Sequence, residues 1–366
     1  MKIASFNVEN MFSRPVALNQ TTWAEGKPTL EAVDRLNKRL AKATYTAADN
    51  VAILADLTTL GLDRTDSGPM ALLRQVRGKL IVRGNAGPRI EANGRSSWIG
   101  WVELRTEAVN ELATRHTAQV IADVGADVLG VIEAENRTTL RRFADTVLTP
   151  TTTAAFQHVM CIDGNDERGI DVGLYTRTGF PITAIGTHID DTDADGIVFS
   201  RDCAEYRVAT PSGNELLVLV NHFKSKGYGT PAASNRKRER QARRVADIYR
   251  AHRNNGTDLI AILGDLNDTP ASGPLAPLLT GTDLADIATA ASFDDGGRPG
   301  TFGTAAASNK IDYVLLSPAL FTTVQAGGIF RKGCFSASGR WPMYPTVTRA
   351  EQAASDHAAI WADVNI

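Results

Sequence analysis

The sequence predicts an α/β protein, and three observations carry that expectation. Short apolar runs, such as residues 128–132 and 259–263, read as buried strands. Two longer stretches instead repeat apolar residues every three or four positions, as a helix with one buried face does. The apolar runs also adjoin short polar islands: FNVEN (6–10), GVIEAEN (130–136), VNHFKSK (220–226), GDLND (264–268), KIDYVLLS (310–317) and SDHAAIW (355–361).

In chain order, residues 2–8 read as a first strand, and residues 106–123 carry Val109, Leu112, Thr117, Val120 and Ile121 at helical spacing before the run at 128–132. That is strand, helix, strand. An inserted region, 16–105, lies between the first strand and that helix, within what is expected to be a single domain spanning 1–366. Its first half, 30–60, is expected to be helical on Leu36, Leu40, Ala43, Val51, Leu54 and Leu57. Its second half is expected to be a hairpin, with 79–83 paired to 97–104 around a Gly-Asn-Ala-Gly-Pro turn. Further strands are expected at 157–162, 170–176, 181–189, 203–209 and 215–221. A helix at 235–252 follows, with Gln241, Val245, Ile248 and Tyr249 on one face and Arg236, Lys237, Arg238, Arg240, Arg243 and Arg244 on the other. A strand then runs into GDLND, a Gly/Pro-rich stretch occupies 269–303, a strand ends in KIDYVLLS, and a last strand, 357–364, opens with SDH. No internal repeat, low-complexity tract or domain linker interrupts the order.

Composition narrows the function classes. With 366 residues, 43% of them hydrophobic, the chain can bury a substantial core. Lys+Arg and Asp+Glu stand at 39 against 41, so a nucleic-acid binder with a wholly basic surface is excluded, and any polyanion must be met by a local patch or by metal. Cys161, Cys203 and Cys334 are scattered and odd in number, which argues for buried free thiols over disulfides or a zinc site. No apolar stretch at the N-terminus suits a signal peptide or a membrane span, so a cytoplasmic protein is expected, or a secreted one if a leader was removed. No protein partner is inferable, and a monomer is expected.

The islands carry the chemistry. Carboxylates, carboxamides and histidines delivered by separate strand ends are what metal-assisted cleavage of a phosphate ester requires. Glu133 follows an apolar run, where hard divalent cations are commonly held by one or two carboxylates plus water. In GDLND, Gly264 permits close approach, Asp265 can accept a proton or ligate metal, and Asn267 lies two positions on, on the same side of an extended chain. His357, beside Asp356, is a candidate phosphate stabiliser or acid/base group that needs a carboxylate to hold its tautomer, and Asp312 is available. His222 ends another apolar run, with Lys224 and Lys226 after it.

The opening Asn-x-Glu, the Glu after a strand, G-D-x-N, I-D-Y and the closing S-D-H, in this order, resemble the endonuclease/exonuclease/phosphatase superfamily, whose fold is that of deoxyribonuclease I. The strings FNVENMF and NHFKSKG are most similar to its bacterial extracellular-nuclease-like subgroup. The resemblance covers 2–15 and about 106–366. It implies a four-layer α/β sandwich of two mixed, mainly antiparallel sheets packed face to face, with helices outside and the site at one rim. It further implies that Glu133, with Asn7, Glu9 and Asp356, organises a metal, Mg²⁺ or Mn²⁺, with Ca²⁺ as a further candidate. Asp265 would position or deprotonate the attacking water, Asn267 would orient the phosphate, His357 held by Asp312 would stabilise the phosphorane, and His222 would serve the leaving oxygen. Arg168, in the segment Arg168-Gly169-Ile170-Asp171, is assigned with Lys224 and Lys226 to substrate binding.

The leading expectation is a phosphodiesterase acting on DNA or RNA, with the basic helix face and Lys224 and Lys226 receiving the backbone. A phosphoesterase for a phospholipid head group or an inositol phosphate is the alternative, and a non-catalytic module of the same fold is a third reading. Trp98 and Trp101 are expected to pack the insertion onto the body. Because region 16–105 leaves the chain directly after Asn7 and Glu9, it is expected to return near the site's rim and to shape substrate choice.

Overall fold

The computed structural model describes residues 1–366 apart from Asn10, Phe12, Asn19, Thr21, Thr22, Val109, Thr153, Ala154 and Tyr228. Asn10 and Phe12 of the first island and Val109 of the first helical stripe therefore lie outside the described residues. The chain divides into two compact units, one formed by Met1–Met11, Val109–Lys226 and Thr230–Ile366, the other by Phe12–Ala108 and Gly227–Gly229.

The larger unit is built on two mixed sheets. The first has seven strands, in the order Phe293–Asp294, Val324–Phe330, Ala359–Val364, Lys2–Asn7, Val128–Ala134, Asp171–Arg177 and Phe156–Ile162. The second has six: Ile182–Gly186, Ala204–Ala209, Glu215–His222, Ile260–Asp265, Asp312–Leu316 and Ala285–Asp286. Most neighbours are antiparallel, but Lys2–Asn7 runs parallel to Val128–Ala134, Phe293–Asp294 parallel to Val324–Phe330, and Glu215–His222 parallel to Ile260–Asp265. Alternate residues of both sheets interdigitate in one apolar layer, where Ile3, Val128, Ile132, Val172 and Leu174 meet Tyr206, Val218, Val220, Leu263 and Val314. The second sheet's other face, with Leu217, Leu219, Ile262 and Leu315, packs on Ala242, Val245, Ala246 and Tyr249 of the helix Pro231–Asn254. The helix Glu111–Val124 buries Thr117, Val120, Ile121 and Val124 and contacts Ala359–Val364 of the first sheet. The four-layer sandwich is thus as expected.

Several local expectations are corrected. The first helix begins at Glu111, because Asn110 caps it and Thr106–Ala108 instead forms a strand with Ser13–Pro15. The second begins at Pro231, capped by Thr230, whose hydroxyl accepts the Ala233 N–H at 3.2 Å. Arg238, expected on its basic face, is buried. Asp312 opens its strand rather than following one, and the last strand starts at Ala359, leaving His357 in an isolated bridge with Phe302. The three cysteines are free thiols, with Cys203 and Cys334 buried. Among the described residues no helix is long and apolar enough to cross a membrane.

The smaller unit has a core of its own, in which Leu36, Leu40, Ile53, Leu57, Leu73, Trp98 and Val102 are buried. Its helical half is two helices, Trp23–Leu40 and Ala47–Thr59. Thr46 and Asp49 form a capping box at the second, and the intervening turn leaves Ala43 exposed. Val51 faces solvent, and Ile53 takes the buried position instead. The expected long hairpin is two pairings: Ile81–Gly84 with Gly87–Ile90, and Ala71–Arg77 with Ile99–Leu104. Trp98 packs into this unit's own core, and Trp101 is 45% exposed.

Candidate active site

The sheet registers bring the islands to one rim of the larger unit. The ladder between the two parallel strands of the second sheet ends at His222 opposite Asp265, and the antiparallel neighbour places Asp312 opposite Asp265 as well. In the first sheet, Asn7 lies opposite Ile132, one residue before Glu133, and Ala359–Val364 runs antiparallel to Lys2–Asn7, so His357 enters at the same end. Gly264 is required here: a β-carbon at this position would meet the Asn221 carbonyl oxygen at 1.9 Å, and its φ of +147° disfavours any side chain.

Backbone irregularities then aim the side chains. Four non-glycine residues have positive φ among the described residues, and three of them are Glu9, Glu133 and Asn267, at 53°, 67° and 54°. Glu133 is the extra residue of a β-bulge, since Ala134 pairs with Asp171 and Ile132 with Val172. Glu9 and Asn267 each close a tight loop in which a side chain two residues back accepts their N–H: Asn7 Oδ1 at 3.0 Å and Asp265 Oδ1 at 2.8 Å. Such conformations persist only where their surroundings over-determine them, and they concentrate at functional sites.

The side chains interlock. Asn7 Nδ2 donates to Glu133 Oε1 at 3.1 Å and to Asp265 Oδ2 at 3.2 Å. Asn267 Nδ2 donates to Asp265 Oδ2 at 3.2 Å and to the Phe223 carbonyl at 3.1 Å. His357 Nδ1 lies 2.9 Å from Asp312 Oδ2, the pairing expected from the sequence, and its Nε2 is 3.9 Å from Asp265 and 3.8 Å from Asp356. His222 Nε2 lies 3.7 Å from both Glu133 Oε1 and Asp265 Oδ2. Glu9 accepts the Asp356 N–H at 3.0 Å, while the Asp356 carboxylate is half exposed.

The two histidines are driven apart electrically. Burial alone would depress His357, but Asp312, Asp356 and Asp265 outweigh it and hold the ring well above the ordinary imidazole value. Burial depresses His222, and Arg201 and Arg168 push it further down, well below that value. Asp265 is pushed up to about 7 by burial and the neighbouring Asp312. One imidazolium and one neutral imidazole therefore flank a carboxyl that titrates near neutrality.

The donor set fits a hard divalent cation. Asp265, Asp312 and His357 present ligand atoms all within 4.8 Å of one another, and Asp312 Oδ1 is buried with no hydrogen-bond partner. Glu133 shares a hydrogen-bond donor with Asp265 through Asn7, so a second group of oxygens adjoins the first.

The predicted substrate-binding cations differ in what they meet. Lys226 pairs with Asp268 at 2.7 Å. Arg168 holds Asp166 through two nitrogens, at 2.6 and 2.8 Å. Lys224 is pushed down to about 8 by burial and then by Arg201 and Arg168, so these three cations share one region. Three supporting residues escaped the sequence reading. Arg201 is 3% exposed, donates to the Phe223 carbonyl at 2.8 Å and leaves its Nε unpartnered. Thr301 donates to Asp312 Oδ2 at 2.6 Å, and Ser355 donates to the Asn7 carbonyl at 2.7 Å while accepting the His357 N–H. Ser355 was within reach, since it opens the S-D-H island, whereas a lone arginine and a lone threonine in loops carry no signal.

Residues 105–357 match the model of the Endonuclease/Exonuclease/phosphatase family. No curated protein matches the sequence. Among solved structures, a mannosyl-6-phosphatase of Bacteroides thetaiotaomicron VPI-5482 is similar at 16% identity and a TM-score of 0.51, over 70% of this chain and 92% of that one. An endonuclease/exonuclease/phosphatase of Bacteroides vulgatus is similar at 17% identity and a TM-score of 0.50, over 70% and 91%. At such identities the likeness is one of fold. Asn7 and Glu9 precede the matched residues, yet the first sheet carries them to Glu133 and Asp356. With the family match spanning more than half of the residues and the fold agreeing, the chain belongs to the Endonuclease/Exonuclease/phosphatase family.

Proposed function

We propose that this protein hydrolyses phosphodiester P–O bonds with a divalent cation, Mg²⁺ or Mn²⁺, and that its substrate is DNA or RNA. The observation that carries this reading is the pair of histidines whose Nε2 atoms stand 3.7 and 3.9 Å from the same oxygen of Asp265, one of them held by Asp312. Glu133, with Asn7, Glu9 and Asp356, would hold the cation, and the Asp265 and Asp312 carboxylates offer adjoining oxygens. When bound, the cation supplies positive charge to the phosphate's non-bridging oxygens.

The chain's own residues supply the rest. Asp265, pushed up to about 7, accepts the proton of the attacking water, and Asn267 orients the phosphate. His357, kept cationic by Asp312, opposes the charge that develops on the phosphorane. His222 serves the leaving oxygen: neutral in the free site, it gains basicity from the incoming phosphate anion, takes up a proton from solvent as substrate binds and donates it to the departing oxygen. Lys224 and Arg168, in the region of Arg201, meet the substrate's remaining negative charge.

A second reading, a phosphoesterase for a phospholipid head group or an inositol phosphate, is favoured by one observation. The basic face of the helix Pro231–Asn254 is largely neutralised within the chain: Arg240 meets Asp193, Arg243 meets Glu239 and Arg244 meets Asp191, at 2.6, 2.8 and 2.6 Å. A substrate panel decides between the two: single- and double-stranded DNA, RNA, sphingomyelin, inositol phosphates and a chromogenic phosphodiester, each with Mg²⁺, Mn²⁺ or chelator. Turnover should vanish with chelator and fall by about 10²–10³ in His357→Ala. Turnover indifferent to both would overturn the proposal.

A further inference from the structure

The helix Pro231–Asn254 turns one arginine inward, away from its exposed basic face. Arg238 is 1% exposed and reaches two loops at once. Its Nε donates to Asp268 Oδ2 at 3.0 Å, in the loop three residues past Asp265, and its Nη1 donates to the Lys224 carbonyl at 2.9 Å, two residues past His222. Its remaining nitrogen bonds Asn235 on the same helix. One turn on, Gln241 Oε1 accepts the Lys224 N–H at 2.9 Å, so both ends of that residue are gripped from the helix.

This matters because the sheet stops holding these segments where the chemistry begins. The ladder between the two strands ends at His222 and Asp265. Beyond it, the loops touch through the Phe223 N–H on the Asp265 carbonyl at 2.9 Å and Asn267 Nδ2 on the Phe223 carbonyl at 3.1 Å. We propose that Arg238, seconded by Gln241, is a positioning residue that sets the spacing and orientation of His222 relative to Asp265 and Asn267. The proposal rests on the reading of those three residues as hydrolytic. A planar guanidinium spans two acceptors in fixed directions, and an ammonium, a single point charge, cannot. A residue that merely neutralised Asp268 or anchored the helix would be replaceable by lysine.

The test compares wild type with Arg238→Lys and with Asp268→Asn, which keeps the side-chain shape if the first variant folds poorly. The readouts are kcat and KM on a chromogenic phosphodiester with Mn²⁺, Tm, and hydrogen exchange over residues 220–226 and 264–269. Misplacing a catalytic group by an ångström lowers turnover by about 10²-fold, so kcat should fall towards that extent in Arg238→Lys with KM nearly unchanged. Exchange in both segments should quicken by about tenfold while the helix stays protected. A lysine variant with wild-type kcat and wild-type exchange, whatever its Tm, overturns the proposal. Should wild type hydrolyse nothing in the panel, the hydrolytic reading falls, and the exchange data alone decide whether the clamp exists.

Discussion

Asp171 shows how burial writes pH dependence into a single side chain. It is 4% exposed, and its carboxylate accepts the Gly164 N–H at 2.7 Å. Burial raises its pKa from 3.8 to about 7, with Asp163 and Asp166 adding to the rise against the Gly164 bond. An acid whose folded value lies above its unfolded one contributes stability that is complete below about pH 4 and is lost as pH rises through about 7. Asp171→Asn keeps the acceptor for Gly164 and removes the titration. Its Tm should exceed that of wild type at pH 8, and the advantage should shrink as pH falls below 7 and vanish only below about pH 4; parallel Tm curves would show that Asp171 does not ionise there. The sequence marked this position only as part of the expected strand 170–176, because desolvation is invisible until the sheets close over it. Asp265 differs in that its identity was legible from GDLND, while its shift to about 7 comes first from burial and then from Asp312, 47 positions away.

At the scale of elements, the helix Pro231–Asn254 was the clearest periodic signal in the chain, and its apolar stripe, Gln241, Val245, Ile248 and Tyr249, is buried as the spacing implied. The opposite face was misjudged. A helical wheel treats arginines as solvated, but here the short hairpin of Thr192–Asp193 and Gly196–Ile197 lies against Arg240, and Arg238 has turned inward. Local sequence could not show this, since the acidic partners lie 47 and 30 residues from their arginines. If the hairpin masks a phosphate-binding cation, Asp193→Asn should steepen the slope of log K against log salt for DNA by about one, measured by fluorescence anisotropy. An unchanged slope assigns Arg240 to the hairpin alone. The strand Val324–Phe330 was missed for a simpler reason: Gly327 and Gly328 supply its buried positions, so no apolar alternation exists to read.

At the scale of the whole molecule, every candidate catalytic and metal-holding residue belongs to the larger unit, and the smaller has a core of its own. Pro15 and Thr106 are paired residues of adjacent strands, so the two ends of region 16–105 lie side by side. A short linker can therefore replace that region. We expect the shortened protein to keep its fold and to hydrolyse the chromogenic phosphodiester, with an altered ranking of nucleic-acid, lipid and inositol substrates. An unaltered ranking would remove the insertion from any account of specificity.

The α/β class, most of the strands and helices and the polar islands at strand ends were legible in the one-dimensional pattern, because periodicity and strand-end polarity are local properties. Which strands neighbour each other, and hence that Glu133, His222, Asp265, Asp312 and His357 face one another, was decided only by register across two sheets. The same closure decided the electrical state of each group. A side chain's pKa and its partners depend on what is buried beside it, and burial is a property of the assembled layers rather than of the string.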